Sequence, residues 1–112
     1  MQHNVNKYLH DIKGAIESIE EYLGHRRDFL DYQKDKLLRR GIERELEIIG
    51  EATKKILKIN PEIKISEARR IVDLRNWIIH GYDQVVDVII WGIISRDVPK
   101  LKEQVQKLLA EE

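Results

Sequence analysis

The chain has 112 residues, 42% hydrophobic and 36% charged, and its 20 basic and 20 acidic residues cancel to a formal net charge of zero. This composition predicts one globular domain spanning residues 1–112 and excludes a disordered chain. Zero net charge argues against nucleic-acid binding driven by bulk charge but permits a local basic patch, and the absence of cysteine excludes disulfides and zinc–thiolate sites.

Met1 leads into the polar segment QHNVNK, which lacks the apolar character of a secretion signal. From Val5 onward, apolar residues recur at spacings of three and four, the pattern of a helix with one buried face. Asn4 is the predicted N-cap, and Gly24 is the predicted residue after the helix end. The apolar stripe comprises Val5, Tyr8, Leu9, Ile12, Ala15, Ile16, Ile19 and Leu23.

The segment RRDFLDYQ predicts a short connecting turn or helix, and a long helix is expected from Lys34 to Lys58. Gly41 and Gly50 lie inside this helix, where each costs about 1 kcal/mol relative to alanine at an exposed position. Gly50 either permits close helix packing or is a tolerated defect. Asn60-Pro61 ends the helix, because proline disfavours helical backbone in the preceding residue. Its apolar face comprises Leu38, Ile42, Leu46, Ile48, Ile49, Ala52, Ile56 and Ile59.

Two further helices are predicted around a glycine. Ser66 and Glu67 begin the first, which runs to Gly81. Its apolar residues are Ala68, Ile71, Leu74 and Ile78. Asp83 is the candidate cap of the second, VVDVIIWGIISR, which is apolar on nearly every side. Such a helix is expected to be buried in the core or against another subunit.

The last predicted helix is amphipathic and follows Pro99. Its inward residues are Leu101, Val105, Leu108 and Leu109. No segment has the alternation of a strand, so the predicted fold class is all-α, an antiparallel bundle of about five helices. No apolar run is long enough to span a bilayer, and a soluble cytoplasmic protein is expected.

The segment RNWIIHGYD raises the question of a functional site. A structural interpretation accounts for part of it: His80 suits the dipole of a last helical turn, the glycine after it suits a left-handed position, and Tyr82 packs its ring. Arg75 and Asn76, in the middle of the same helix, are not explained in this way. The alternative interpretation is a site that uses these polar side chains.

The chemistry of these residues suits RNA phosphates without a metal ion. Arginine presents a planar fork to phosphate oxygens, and histidine transfers protons near neutral pH. On a helix His80 lies about 7.5 Å beyond Arg75 and about 140° around the axis, a separation that a long arginine side chain can bridge. Cleavage by a 2′-hydroxyl needs both a base and an acid, so a two-fold dimer, paired through the apolar helix that follows, would supply the second histidine.

The pattern R-x4-H-x-Y, formed by Arg75, His80 and Tyr82, resembles the signature of the HEPN domain, specifically the HepT-like toxin family. The segment RRGIERELEIIGEATKKIL is similar to that family's long helix with its GEA element, and LRNWIIHGYDQVVDVIIWGII followed by DVPKL is similar to its C-terminal half. Asn76 also fits, because the family favours a polar residue after the arginine. The similarity covers about residues 29–109 in the same order of elements.

This resemblance implies a homodimer that brings two motifs into one cleft and acts as a metal-independent endoribonuclease, the toxin of a type II toxin–antitoxin system. Its expected partners are RNA and a minimal nucleotidyltransferase antitoxin that attaches AMP to the motif tyrosine; no cofactor is expected. His80 would transfer protons, and Arg75 would bind the scissile phosphate and stabilise its developing charge. Asn76 would orient the phosphate or the histidine. Tyr82 would position RNA and accept AMP, which would block the phosphate position.

Two other functions stay open at this point. In one, the chain is a non-catalytic, nucleotide-binding helical partner of a nucleotidyltransferase, with Tyr82 as AMP acceptor. In the other, the chain is a purely structural helical dimer, and replacing Arg75 changes stability alone.

Other polar residues have a structural and a functional interpretation. His3 and His10, seven residues apart, form a metal-binding pair or, more commonly where no third ligand is evident, a solvated pair. His25 is expected in a surface turn, and Glu51 in a structural salt bridge. The basic cluster is a solvated face, an RNA-backbone contact or a docking surface for an acidic partner. It comprises Lys36, Arg39, Arg40 and Arg44.

Overall fold

The computed structural model describes the backbone of residues 2–25, 28–80 and 83–111, with side chains over the same ranges except at 2–3, 74–80 and 83–86. Within these ranges every regular element is helical and no strand is present, which confirms the all-α prediction. The helices are α1 (Gln2–Leu23), α2 (Phe29–Lys34), α3 (Lys36–Ile59), α4 (Ser66–His80), α5 (Asp83–Gly92) and α6 (Val98–Ala110). No helix in the described segments is both long and apolar enough to cross a membrane.

The C-terminal end of α1 agrees with the end predicted from the sequence, whereas its N-terminal end differs from the prediction. The helix already includes Gln2, so the prediction of Asn4 as N-cap is wrong: the polar segment before the apolar stripe continues the helical backbone. At the other end Gly24 has φ +56°, and its N–H donates to Glu20 O at 3.0 Å, as predicted. The apolar stripe is buried except for the half-buried Tyr8.

Aspartates begin the next two helices. The Asp28 carboxylate accepts the N–H of Leu30 at 2.9 Å, and the Asp35 carboxylate accepts the N–H of Leu38 at 3.0 Å. These caps confirm the short helix before α3 and place the start of α3 two residues after the predicted Lys34. The long helix ends with Asn60 as its C-cap, as predicted from the proline that follows.

The helices α1 and α3 pack antiparallel. Near the end of α1 the ring of Tyr22 lies on Gly41, and near its start Tyr8 has the Lys55 ammonium 5.5 Å from its ring centre. A Cβ atom at Gly41 would lie 3.2 Å from Cε2 of Tyr22. This glycine therefore has a packing role that offsets its low helix propensity.

A π-helical turn, Ile93–Asp97, joins α5 to α6. The sequence predicted a separate helix after Pro99, but the helical backbone continues past the proline. Val98 N–H donates to Ile93 O, five residues back. Because proline has no N–H and clashes with the carbonyl four residues earlier in an α-helix, the wider turn directly before it lets the helix continue. α6 then returns along α1, where Lys102 Nζ lies 2.9 Å from Glu20 Oε2.

The predicted apolar faces form the core wherever their side chains are described. Ala68 and Ile71 of α4 are fully buried, whereas Leu74 and Ile78 lie outside the described side chains. The buried residues of α3 and α6 are Leu38, Ile42, Leu46, Ile49, Ala52, Ile56, Leu101 and Val105. Ile48, Ile59, Leu108 and Leu109 are partly buried against them.

The apolar segment of α5 is covered on only part of its surface by this chain. Ile90 and the two isoleucines of the π turn are buried, but Val88 is 61% exposed. The first turn of α5 begins at Asp83, whose side chain and predicted capping role lie outside the described residues.

Candidate functional site

The sequence motif lies at the junction of α4 and α5. The backbone of Arg75, Asn76 and His80 forms the last turns of α4, and α5 begins three residues after His80. Their side chains, and the whole of Tyr82, lie outside the described residues, so their roles stay predictions. What the structure supplies is the set of contacts that hold the two helices on either side of the junction.

Contacts to the π turn and to α6 hold the first half of α4. Arg70 Nε lies 2.9 Å from Asp97 Oδ2, whose side chain is only 7% exposed. Gln104 Nε2 donates to Ser66 Oγ at 3.1 Å. These contacts fix the helix five and more residues before Arg75.

Aromatic packing holds the second half of α5 on α2. The ring centre of Trp91 lies 5.4 Å from that of Tyr32 and 6.3 Å from that of Phe29, both in tilted arrangements that aromatic rings favour. Tyr32 is fully buried. Sequence patterns did not indicate this burial, because the segment around Tyr32 was expected only to connect two helices.

A polar cluster lies beside these rings, with two buried members on α2 and α5 and two partly buried members on α3. We call Tyr32, Arg39, Glu43 and Asp87 the polar cluster. Arg39 Nη1 lies 4.0 Å from Asp87 Oδ1, and these side chains are 20% and 10% exposed. Asp87 is the one carboxylate within the apolar run VVDVIIWGII. A carboxylate in such a run indicates a buried ion pair, but the sequence did not identify its partner.

Burial perturbs two groups of the polar cluster. Burial, reinforced by the nearby Glu43 and Asp87 carboxylates, raises the pKa of the Tyr32 phenol far above its ordinary value. Burial also raises the pKa of Glu43, although Arg40 Nη1 donates to its carboxylate at 3.2 Å. Among the described residues, neither the Tyr32 hydroxyl nor Arg39 Nε has a hydrogen-bond partner. Burial therefore disfavours the charged forms of Tyr32 and Glu43 in this cluster.

The predicted basic cluster is divided by the fold. Lys36, Arg40 and Arg44 are exposed, as a solvated face requires. Arg39 instead faces inward to Asp87. The expectation that all four share one solvated face is wrong for Arg39, because its guanidinium pairs with Asp87 of α5 and its side chain is only 20% exposed.

Glu51 is exposed and lines a groove of about 300 Å³ between α1 and α3. Lys7 and Lys55 lie 5.0 and 5.5 Å from the ring centre of Tyr8 in this groove. Cations and carboxylates are mixed along its walls, so the groove presents no single charge to a ligand. The expected structural salt bridge of Glu51 stays a prediction.

The histidine candidates are brought together nowhere in the described structure. His10 and His25 are both exposed, and the side chain of His3 lies outside the described residues. Where side chains are described, no group of three metal-binding residues is present. The metal-binding interpretation of His3 and His10 gains no support from this arrangement.

Comparison with known proteins relates most of the chain to proteins named as ribonucleases. A family model described as ribonuclease HepT-like matches residues 12–108. The chain is 38% identical over 112 residues to the protein named probable ribonuclease HepT of Thermococcus cleftensis, an alignment that covers 96% of this chain and 98% of that protein.

Two further relatives carry the name of an RNase. One, from Caldanaerobacter subterraneus subsp. tengcongensis, is 41% identical over 86 residues, which are 75% of this chain and 76% of that protein. Another, from Methanocaldococcus jannaschii, is 32% identical over 104 residues, which are 92% of this chain and 94% of that protein. No solved structure matches the chain significantly.

Proposed function

The chain belongs to the HepT-like ribonuclease family, and on that premise we propose that it is a metal-independent endoribonuclease and the toxin of a type II toxin–antitoxin system. One observation carries the proposal: the region matched by the family, residues 12–108, contains the complete motif of Arg75, His80 and Tyr82. The residue types of the motif agree with this assignment, since they supply a phosphate ligand, a proton carrier and an aromatic hydroxyl.

In the proposed reaction an RNA 2′-hydroxyl attacks the neighbouring phosphorus, and the bond from phosphorus to the 5′-oxygen breaks. His80 of one copy takes the proton of the attacking hydroxyl, and His80 of the second copy gives a proton to the leaving oxygen. Arg75 neutralises the charge that develops on the phosphate oxygens, and Asn76 orients the phosphate or the imidazole. The products are a 2′,3′-cyclic phosphate and a free 5′-hydroxyl.

This reaction needs a homodimer, because each chain has a single motif histidine. The exposed Val88 on α5, one of the helices that meet at the motif, supports a second copy at this face. We also propose a minimal nucleotidyltransferase antitoxin as partner, in the cytoplasm. AMP on Tyr82 would place a bulky anion where the substrate phosphate binds.

The first test is cleavage of a fluorescent RNA by purified protein in EDTA. Because proton transfer contributes about 100- to 10,000-fold, His80→Ala should lose at least about 100-fold in rate. The dimer should persist in this variant, as measured by size-exclusion chromatography with light scattering. His10→Ala, a histidine exposed on α1, is the matched control and should cut like the wild type.

Two outcomes would contradict the nuclease proposal. One is cleavage that EDTA abolishes and Mg²⁺ restores. The other is an equal rate for His80→Ala and the wild type after identical purification, which would assign the activity to a contaminant.

A second experiment separates the toxin from a passive AMP acceptor. Co-expression with the proposed nucleotidyltransferase antitoxin, followed by mass spectrometry, should find AMP on Tyr82. Tyr82→Phe expressed without that partner should still be toxic. If the wild type accepted AMP but neither cut RNA nor harmed cells, the chain would instead be a non-catalytic subunit of the nucleotidyltransferase.

A further inference from the structure

We propose that Arg39 and Asp87 are positioning residues that set the geometry of the motif at the α4–α5 junction. The activity part of this inference rests on the proposed nuclease function. Asp87 lies five residues after Tyr82 and four after the start of α5. Anchoring Asp87 to α3 therefore determines where the first turn of α5, which begins three residues after His80, is held.

Burial is the first reason to assign this role to the pair. A carboxylate in an apolar helix is expensive to bury unless a cation compensates it. The Asp87 side chain is only 10% exposed, and the Arg39 guanidinium on α3 lies 4.0 Å from its carboxylate. Removing the Arg39 cation takes this charge contact away from the buried Asp87 carboxylate, so the two helices should shift or admit water.

The second reason is that different contacts hold the two halves of α5. The aromatic contacts of Trp91 hold its second half on α2. The ion pair with Arg39 lies one turn closer to the motif. A displacement at Asp87 is therefore passed through a single helical turn to the junction, and a misplacement of about 1 Å in a catalytic group costs about 100-fold in rate.

The geometry of the pair predicts which substitutions it tolerates. One guanidinium nitrogen approaches one carboxylate oxygen, and Arg39 Nε has no hydrogen-bond partner among the described residues. The contact thus uses a point charge and not the planar fork of arginine. Arg39→Lys should retain the positioning, whereas Arg39→Met, which has an apolar side chain of similar length, should lose it.

The test measures RNA cleavage at a temperature where circular dichroism shows each variant fully folded. Asp87→Asn and Arg39→Met should lower kcat about tenfold or more with KM changed less than about twofold, since positioning acts in the transition state. Arg39→Lys should recover most of the loss. Lys102→Met, which breaks the 2.9 Å ion pair between α1 and α6, is the matched control and should leave kcat unchanged.

Equal kcat for Arg39→Met and the wild type, measured on folded protein, would overturn the inference. So would an equal loss in Arg39→Lys and Arg39→Met, because charge would then not be the cause. If Asp87→Asn does not fold, the two Arg39 variants decide the question.

A second readout does not depend on nuclease activity. The chain has four histidines and four tyrosines, so the ring signals of His80 and Tyr82 can be assigned by single substitutions in carbon–proton NMR spectra. Arg39→Met should shift both rings, and Lys102→Met should not. If the wild type cut no RNA, the nuclease proposal would fail, but the chemical shifts would still test whether Arg39 positions the motif. Unchanged His80 and Tyr82 signals in Arg39→Met would overturn the positioning role whatever the activity.

Discussion

The ion pair between Arg70 and Asp97 should contribute measurably to the stability of this protein, because one partner is buried and the other is exposed. Arg70 Nε lies 2.9 Å from Asp97 Oδ2, with side chains 60% and 7% exposed. That oxygen nevertheless accepts no well-aligned hydrogen bond among the described residues, so the contact is mainly one of charge. We therefore expect Arg70→Met to destabilise the fold by leaving the Asp97 carboxylate buried and uncompensated.

The free-energy cost of Arg70→Met lies between two limits. Exposed ion pairs contribute about 0.2–1 kcal/mol, and breaking a fully buried pair costs about 3–5 kcal/mol. Since only Asp97 is buried, a value between these limits applies, and we expect Arg70→Met to cost about 2 kcal/mol. For a domain of this size the loss corresponds to a Tm lower by about 8 °C.

The assay is urea unfolding followed by circular dichroism, arranged as a double-mutant cycle. Asp97→Asn replaces the carboxylate by an amide that is cheaper to bury, so it should cost less than about 1 kcal/mol. In that background Arg70→Met should cost less than about 0.5 kcal/mol. An equal cost of Arg70→Met in both backgrounds would refute the reasoning, because the loss would then come from packing of the arginine stem.

Three further predictions concern the polar cluster. Tyr32→Phe removes a buried hydroxyl that has no hydrogen-bond partner among the described residues. It should leave the free energy of unfolding unchanged or raise it by up to about 1 kcal/mol. A loss above about 1 kcal/mol, measured by urea unfolding, would show that the hydroxyl is hydrogen-bonded. The pKa of Tyr32 is raised in the folded state, so the phenol's contribution to the free energy of unfolding is complete below about pH 10. At higher pH this contribution is lost, because the phenol ionises in the unfolded chain first. The wild type should therefore lose stability above about pH 10 relative to Tyr32→Phe. The pKa of Glu43 is also raised in the folded state, so its contribution to the free energy of unfolding is complete below about pH 4. This contribution is lost as the pH rises through the folded-state pKa. Glu43→Gln should therefore exceed the wild type in Tm at pH 7 and approach it at pH 4, and a constant difference across this range would contradict the prediction.

Much of the fold could be predicted from the sequence, because helix formation and helix ends depend on neighbours along the chain. The apolar stripe of α1 repeats every three or four residues and is buried as that spacing requires. The left-handed Gly24 and the C-cap Asn60 follow from local backbone preferences. Errors arose where a local rule allowed two outcomes, as at Pro99, where a π turn carries the helix past a residue that usually ends one.

The candidate site was also predicted from the sequence as a motif, since Arg75, His80 and Tyr82 are recognisable by type and spacing. The tertiary structure alone decided what supports the junction that carries them. Arg39 belongs by sequence to an exposed basic face, and only the packing of α5 beside α3 and α2 makes it the partner of Asp87. Periodicity tells which side of a helix is apolar, but burial of a charge depends on which distant helix covers it, and that is set by the arrangement of all the helices together.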